Sequence, residues 1–174
     1  INPLAVRQAY TLGHALDCTL ATSAPLERPH GSPSLPEGYN LYGASVAVAA
    51  GGFMEIEFHR RKKHIPINEI RLEEYAGRLT HENGKTRMDY SQAGAANIRL
   101  RTGANFELGE EAEIFLTELR RRIQYMGMLR GTPVETMIRC NAYVALAKYP
   151  QEPDYFVKLR NLNSFNFVRK AINA

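Results

Sequence analysis

Two strand-forming segments separated by a short basic stretch constrain the fold most strongly. The stretch HRRKKH at residues 59–64 is polar enough to form a solvent-exposed turn, and the segments on both sides are rich in residues that favour strands. Their main apolar positions are Phe53, Ile56 and Phe58 before the turn and Ile65, Ile67 and Ile70 after it. Residues 53–70 therefore predict a β-hairpin, and with it an antiparallel sheet.

Other turn and cap residues extend this prediction to an α+β fold. Asn83-Gly84 is a strong signal for a second hairpin, and we expect further strands between residues 70 and 101. Residues 2–17 predict a helix with Asn2 as its cap, and residues 109–127 predict a helix with acids in its first turn and Gly127 at its end. The elements do not alternate regularly between strand and helix, so we predict a mostly antiparallel sheet with packed helices.

The carboxy-terminal part predicts two neighbouring strands followed by a short helix. In the first strand, Cys140, Ala142 and Val144 face one way, whereas Asn141 and Tyr143 face the other. The second strand comes from the segment YFVKLRNL. We expect Asn163 or Ser164 to cap the helix, and Phe165 and Val168 to be buried against the sheet.

Length and composition are those of an ordinary globular protein. The 174 residues fit one domain, which we predict to span residues 1–174, and no apolar run is long enough to cross a membrane. The first residue is Ile, so we expect the sequence to be a fragment or a processed form. Cys18 and Cys140 belong to no CxxC pair, and the spacing of the histidines predicts no metal site.

Clusters of basic residues make RNA a possible partner. The formal charge of +4 and the pI near 9.1 permit such a partner without requiring it. For the basic residues at 59–64, a simple solvated turn explains the composition equally well. We expect any RNA contact to use basic groups rather than base-reading aromatic side chains. The candidate residues are Arg60, Arg61, Lys62 and Lys63 in the hairpin turn, and Lys158 and Arg160 in the last strand.

Four segments resemble one protein family in its own order and spacing. KLRNLNSFNFVRKAI is similar to the K-N-L-N-S-F-x-x-V-x-K-A segment of the B subunit of the tRNA-dependent amidotransferases. IRCNAYVALAKYP, IRLEEYAGRLTHENGKTRMDYSQAG and SPSLPEGYNL resemble three further segments of that subunit. The resemblance implies a domain related to its glutamine-synthetase-like cradle. It also implies an enzyme that uses ATP and magnesium to phosphorylate Glu or Asp on a mischarged tRNA, after which ammonia from a partner amidase forms the amide.

The sequence departs from the family where the resemblance implies acids. Asn141 replaces an Asp, Lys158 replaces the acid of the last strand, and Arg99 replaces a Glu. Glu73 and Glu74 remain as candidate catalytic remnants. Carboxylate oxygens are the ligands that magnesium prefers, whereas ammonium and guanidinium groups repel a cation.

These substitutions leave two interpretations of the remaining acids. Glu73 and Glu74 form either a residual metal site or a structural pair, with one of them bound to Arg71 or Arg99. We favour the structural pair and expect no metal site. We also expect Asn141 and Lys158 to lie on adjacent strands, with Arg99 near them.

Two functional hypotheses follow. The first is a degenerate amidotransferase-B-like domain without cofactors, a pseudoenzyme that acts as a structural or RNA-associated component of the translation machinery. Its setting would be an organellar ribosome or a tRNA complex in the mitochondrion or another organelle, within a larger protein or ribonucleoprotein assembly and with no membrane partner. The alternative is a fragment of an active amidotransferase subunit that uses ATP and magnesium, in an organelle or in the cytoplasm.

Overall fold

The computed structural model describes residues 2–27, 46–128, 138–145 and 156–174. The segment SPSLPEGYNL lies outside these ranges. The described residues form three helices: α1 (Pro3–Ala15), α2 (Gly109–Tyr125) and α3 (Phe165–Asn173). They also form nine strands: β1 (Thr19–Leu20), β2 (Ala49–Ala50), β3 (Gly52–Phe58), β4 (Arg61–Glu74), β5 (Arg78–Glu82), β6 (Lys85–Asp89), β7 (Ala96–Thr102), β8 (Cys140–Val144) and β9 (Val157–Leu162). The predicted α+β class is confirmed.

The chain forms two compact units. The first unit contains residues 1–54 and 66–103, and the second contains residues 55–65 and 104–174. Strands β3 and β4 each contribute residues to both units. No described helix is long and apolar enough to cross a membrane.

The first unit is built on an antiparallel sheet. Its strands follow the order β1-β2-β4-β3, and β7 also pairs with β4. Helix α1 contacts β1, β2 and β7, and Gly13 permits close packing because a Cβ atom there would lie 2.6 Å from the Cβ of Ala49. The predicted cap is confirmed, since Oδ1 of Asn2 accepts a hydrogen bond from the Leu4 N–H at 3.0 Å. The core contains Ala9, Leu12, Leu16, Val48, Met54, Ile67, Ile70 and Leu72.

The hairpin of β3 and β4 is confirmed, but the predicted extent of its turn is wrong. The turn consists of His59 and Arg60 alone, and Arg61 already belongs to β4. Both turn residues have positive φ values, 50° and 62°, as two-residue hairpin turns of type I′ require. Lys62 and Lys63 therefore lie in a strand, where consecutive side chains point to opposite faces.

The second predicted hairpin is also confirmed. Asn83 and Gly84 connect β5 to β6 with φ values of 51° and 71°. These are the left-handed conformations that this residue pair favours.

The second unit combines α2 and α3 with a ribbon of two antiparallel strands, β8 and β9. Ser164 caps α3, because its Oγ accepts a hydrogen bond from the Phe167 N–H at 3.1 Å. Val168 is buried as predicted, with 4% of its surface exposed. Phe165 is only half-buried, and its ring lies beneath the guanidinium of Arg120 on α2, whose Cζ is 5.2 Å from the ring centroid. The expectation that Phe165 is buried against the sheet is therefore wrong.

Candidate functional site

A face of alternating charges lies on the paired strands β4 and β7 of the first unit. The antiparallel register places Arg71 opposite Arg99 and Glu73 opposite Asn97. Alternate residues of a strand share a face, so Glu69, Arg71 and Glu73 point the same way. We call Glu69, Arg71, Glu73 and Arg99 the charged face. The two carboxylates of this face offset the charges of its two guanidinium groups. The two arginines lie directly opposite each other on the paired strands.

Ion pairs hold the charged face together. Oε2 of Glu69 accepts hydrogen bonds from Arg71, at 2.9 Å from Nε and 2.8 Å from Nη2. Oε1 of Glu73 lies 2.9 Å from Nη1 of Arg99. The predicted bond between a remaining acid and Arg71 or Arg99 is therefore confirmed for Glu73 and Arg99.

Glu73 is the most buried acid of this face, with 11% of its side chain exposed. Burial raises the pKa of this carboxyl, and the neighbouring Arg99 and Arg71 offset only part of that rise. Its Oε1 atom accepts no hydrogen bond of good geometry from the described residues, although Arg99 is close. Arg99 thus compensates part of the cost of a buried charge.

Glu73 and Glu74 do not form one metal site. They occupy consecutive positions of β4 in regular register with Asn97 and Ala96, so their side chains point to opposite faces of the sheet. The cation next to Glu73 is the guanidinium of Arg99. Among the described residues, no three His, Cys, Asp or Glu side chains converge in an arrangement that could hold a metal ion. The residues present on the charged face do not fit a magnesium site.

The second group of substituted positions lies on the β8–β9 ribbon of the second unit. Tyr143 pairs with Lys158, and Nζ of Lys158 lies 5.0 Å from the centroid of the Tyr143 ring. Asn141 precedes Tyr143 by two residues and so shares its exposed face. The prediction that Asn141 and Lys158 lie on adjacent strands is confirmed. Arg99 belongs to the first unit, and its expected proximity to this pair stays a prediction.

A β-bulge enlarges this exposed face. Cys140 pairs with Leu162 and Ala142 pairs with Leu159, so Asn141 alone faces two residues of β9. These two residues are Arg160 and Asn161, and both are exposed. We call Asn141, Tyr143, Lys158, Arg160 and Asn161 the ribbon face. It carries two cations, two amides and a phenol.

The basic hairpin, which carries the candidate cations Arg60, Arg61, Lys62 and Lys63, has fewer unpaired positive charges than the sequence indicated. Nζ of Lys62 lies 2.8 Å from Glu55. Nζ of Lys63 lies 2.8 Å from Oε1 of Glu111 and 3.0 Å from Oε1 of Glu107. Two of the four candidate cations therefore have acidic partners.

Arg60 and Arg61, the other two candidates, are exposed to solvent. Any nucleic-acid contact through the hairpin would therefore depend chiefly on these arginines.

Lys63 belongs to a structural cluster at the start of α2. Glu111 accepts a hydrogen bond from the backbone N–H of Glu107 at 2.8 Å as well as the two from Lys63. Burial raises the pKa of Glu111, but Lys63 and the Glu107 N–H outweigh it, so the pKa lies below its usual value. This cluster anchors β4 to the amino-terminal end of α2.

The sequence-based prediction did not place Glu69 on the charged face or Tyr143 next to Lys158. Glu69 is part of the charged face, and its spacing of two residues from Arg71 and four from Glu73 on one strand was a visible signal. Tyr143 lies next to Lys158 because of the strand register, which the sequence does not specify.

Comparison with known proteins relates the whole chain to one family. The family model described as the GatB/GatE catalytic domain matches residues 1–174. The B subunit of the aspartyl/glutamyl-tRNA(Asn/Gln) amidotransferase from Shouchella clausii is 34% identical over 175 residues, covering 99% of this chain and 37% of the relative. The corresponding B subunits from Halalkalibacterium halodurans and Staphylococcus haemolyticus are 35% and 32% identical, with the same coverage. The chain thus spans little more than a third of the length of these relatives.

Proposed function

The chain belongs to the family of GatB/GatE catalytic domains, and from this premise we propose that it is a degenerate, non-catalytic member that serves as a structural or RNA-associated component of the translation machinery. The family assignment agrees with the resemblance drawn from the motifs and with the predicted amidotransferase-B-like fold. The relatives named above are subunits of a tRNA amidotransferase, so an assembly of several chains is the setting we propose for this protein as well.

The observation that carries this proposal is the ion pair between Arg99 and Glu73. A carboxylate that binds magnesium needs an oxygen lone pair directed at the metal. Here Nη1 of Arg99 lies 2.9 Å from Oε1 of Glu73, and the resemblance implies an acid at position 99. A guanidinium at this distance repels a divalent ion by Coulomb interaction even at a high effective dielectric.

The ribbon face supports the same conclusion independently. Asn141 and Lys158 are neighbours on one exposed face, and the resemblance implies acids at both positions. Relative to that pattern, the local charge rises by one unit at Asn141 and by two units at Lys158. Phosphoryl transfer depends on metal ions that neutralise the phosphate oxygens, so the loss of these acids argues against transfer.

Two experiments on the full-length protein test this proposal. The first measures ATP-dependent amide formation on tRNA charged with Glu or Asp, in the presence of an ammonia source. We expect no product above the background without protein. Amide formation that depends on magnesium would overturn the non-catalytic proposal in favour of an active amidotransferase subunit.

The second experiment identifies what accompanies the native protein. The protein is isolated at low salt, half of the sample is treated with nuclease, and the retained chains and RNA are identified. We expect ribosomal or tRNA-associated components. Recovery without RNA and without any translation protein would contradict the proposed role.

We also propose an organelle, such as the mitochondrion, as the compartment, with the cytoplasm as the alternative. Imaging of the tagged full-length protein tests this: co-localisation with an organelle marker is expected, and a uniform cytoplasmic signal would contradict it.

A further inference from the structure

The described residues of the β8–β9 ribbon and α3 carry several cations and no acids. Residues 138–145 and 156–174 include no Asp or Glu. Their five cations are Arg139, Lys158, Arg160, Arg169 and Lys170. Arg169 lies 3.3 Å from Glu113 on α2. Arg139, Lys158 and Arg160 are exposed, and all three belong to the ribbon or lie directly next to it.

The backbone presents these groups on one side of the ribbon. The interior-facing residues Cys140 and Ala142 are half-buried, whereas Asn141 and Tyr143 are exposed. Asn161 has φ +61°, in the left-handed region, and the bulge adds its amide to the same area as Arg160. Bulges often redirect side chains at binding sites. The result is a row of donors spaced about 7 Å apart along each strand.

Aromatic rings lie among these cations. Tyr143 is 57% exposed and Phe156, which directly precedes β9, is 51% exposed. Nζ of Lys158 is held over the Tyr143 ring at 5.0 Å from its centroid. This contact keeps the ammonium close to an aromatic surface that remains more than half accessible.

We infer that the ribbon face, together with Arg139, is a binding site for single-stranded RNA, in which Arg139, Lys158 and Arg160 contact phosphates and Tyr143 contacts a base. This inference rests on the proposed function and narrows it, because it names the RNA-contacting surface and the form of the RNA. It departs from the prediction made from the sequence, which expected basic groups rather than aromatic side chains to contact RNA, because Tyr143 lies exposed beside Lys158.

The chemistry of the face favours a single strand over a duplex or an acidic protein. Sites for single strands combine a basic path along the backbone with exposed aromatic rings on which unstacked bases lie. Double-stranded RNA is recognised mainly by its shape and offers no free base to a ring such as that of Tyr143. Asn141 and Asn161 add amide donors and acceptors, which suit base edges and sugar hydroxyls as well as phosphates.

The test measures binding of a fluorescein-labelled oligouridine to the full-length protein by fluorescence anisotropy. If three cations each neutralise one phosphate, a plot of the logarithm of the affinity against the logarithm of the salt concentration has a slope of about −2.1. That slope corresponds to about an 18-fold loss between ~50 and ~200 mM salt. The double variant Lys158→Gln/Arg160→Gln is expected to lower the slope to about −0.7, so that the same change in salt costs only about threefold.

Two further variants distinguish the ribbon face from the basic hairpin and from a contact made by charge alone. Arg60→Gln/Arg61→Gln removes the same number of charges from the exposed hairpin and is expected to leave the salt slope unchanged. Tyr143→Leu keeps the charges and is expected to weaken binding about fivefold or more, since loss of one stacked base typically costs at least ~1 kcal/mol. Equal melting temperatures of all proteins verify that the variants remain folded.

Each other result overturns the inference in a distinguishable way. A loss of binding confined to the hairpin variant would refute RNA binding by the ribbon face but would still support an RNA-associated role. Absence of binding at ~50 mM salt would also refute RNA binding by the ribbon face. The non-catalytic proposal would then still be tested separately by the amide-formation assay. Displacement by polyglutamate as effective as displacement by unlabelled oligouridine, with no effect of Tyr143→Leu, would identify a general polyanion surface instead.

Discussion

Lys63 should be needed for stability rather than for binding nucleic acid, and its neighbour Lys62 provides a matched control. Both are lysines of the basic hairpin, and both have an acidic partner within 3 Å: Nζ of Lys62 lies 2.8 Å from Glu55, and Nζ of Lys63 lies 2.8 Å from Glu111. They differ in burial. The side chain of Lys62 is 69% exposed, whereas that of Lys63 is 24% exposed and that of Glu111 is 6% exposed.

The magnitude follows from this difference. Lys63→Met leaves the buried Glu111 carboxylate without its cation, although the backbone N–H of Glu107 still donates to it. Loss of a hydrogen bond to a charged group costs about 1.5–3 kcal/mol. The cost should stay below the ~3–5 kcal/mol of a fully buried pair, because Lys63 retains contact with solvent. For a chain of this size, the melting temperature should fall by about 3–12 °C.

Thermal and urea unfolding of the full-length protein measure this cost. Lys62→Met is expected to leave the melting temperature unchanged, since exposed ion pairs add little to stability. The double variant Lys63→Met/Glu111→Gln should recover part of the loss, because it no longer buries an uncompensated charge. Equal effects of Lys62→Met and Lys63→Met, or no recovery in the double variant, would refute the assignment of Lys63 to the structural cluster.

Three further predictions concern other parts of the chain. Glu73→Gln should change the free energy of unfolding little at neutral pH, because Arg99 is half exposed and its ion pair offsets only part of the cost of burying the Glu73 carboxylate; a large destabilisation in urea unfolding would contradict this. Val168→Ala should cost about 2 kcal/mol from the loss of buried methyl groups, against ~1 kcal/mol for loss of the cap in Ser164→Ala, and urea unfolding that ranks them the other way would contradict the helix packing. The stability from Glu111 should be complete above its unfolded pKa of about 4.3 and lost as the pH falls through its lower folded pKa. Acid unfolding of Glu111→Gln, which should show a weaker pH dependence than the unaltered protein, measures this contribution.

Local signals predicted the elements whose geometry depends on a few adjacent residues. Asn83-Gly84 specified the hairpin of β5 and β6, and Ser164 specified the start of α3, because turn and cap chemistry acts within four residues. The turn at His59 and Arg60 was placed too broadly, since Arg gives no signal for a positive φ and the polar residues continue through His64 into β4.

Contacts between distant segments were beyond the sequence. Lys63 and Glu111 are 48 positions apart, so nothing local distinguishes Lys63 from Lys62. Phe165 was expected in the core because it is large and apolar, but its ring is covered by Arg120 of α2 and remains half-buried. The substituted acids were identified by resemblance, whereas the pairing of Glu73 with Arg99 depended on the register of β4 and β7.

Isothermal titration calorimetry with ATP and magnesium tests most directly whether the family's cation site has been lost. The unaltered full-length protein is titrated at millimolar nucleotide, beside the variants Glu73→Gln and Arg99→Glu. We predict no saturable binding for the unaltered protein or for Glu73→Gln, because the guanidinium of Arg99 neutralises Glu73 and opposes a second cation. Micromolar binding that is abolished by Glu73→Gln would contradict the account and identify a working nucleotide site.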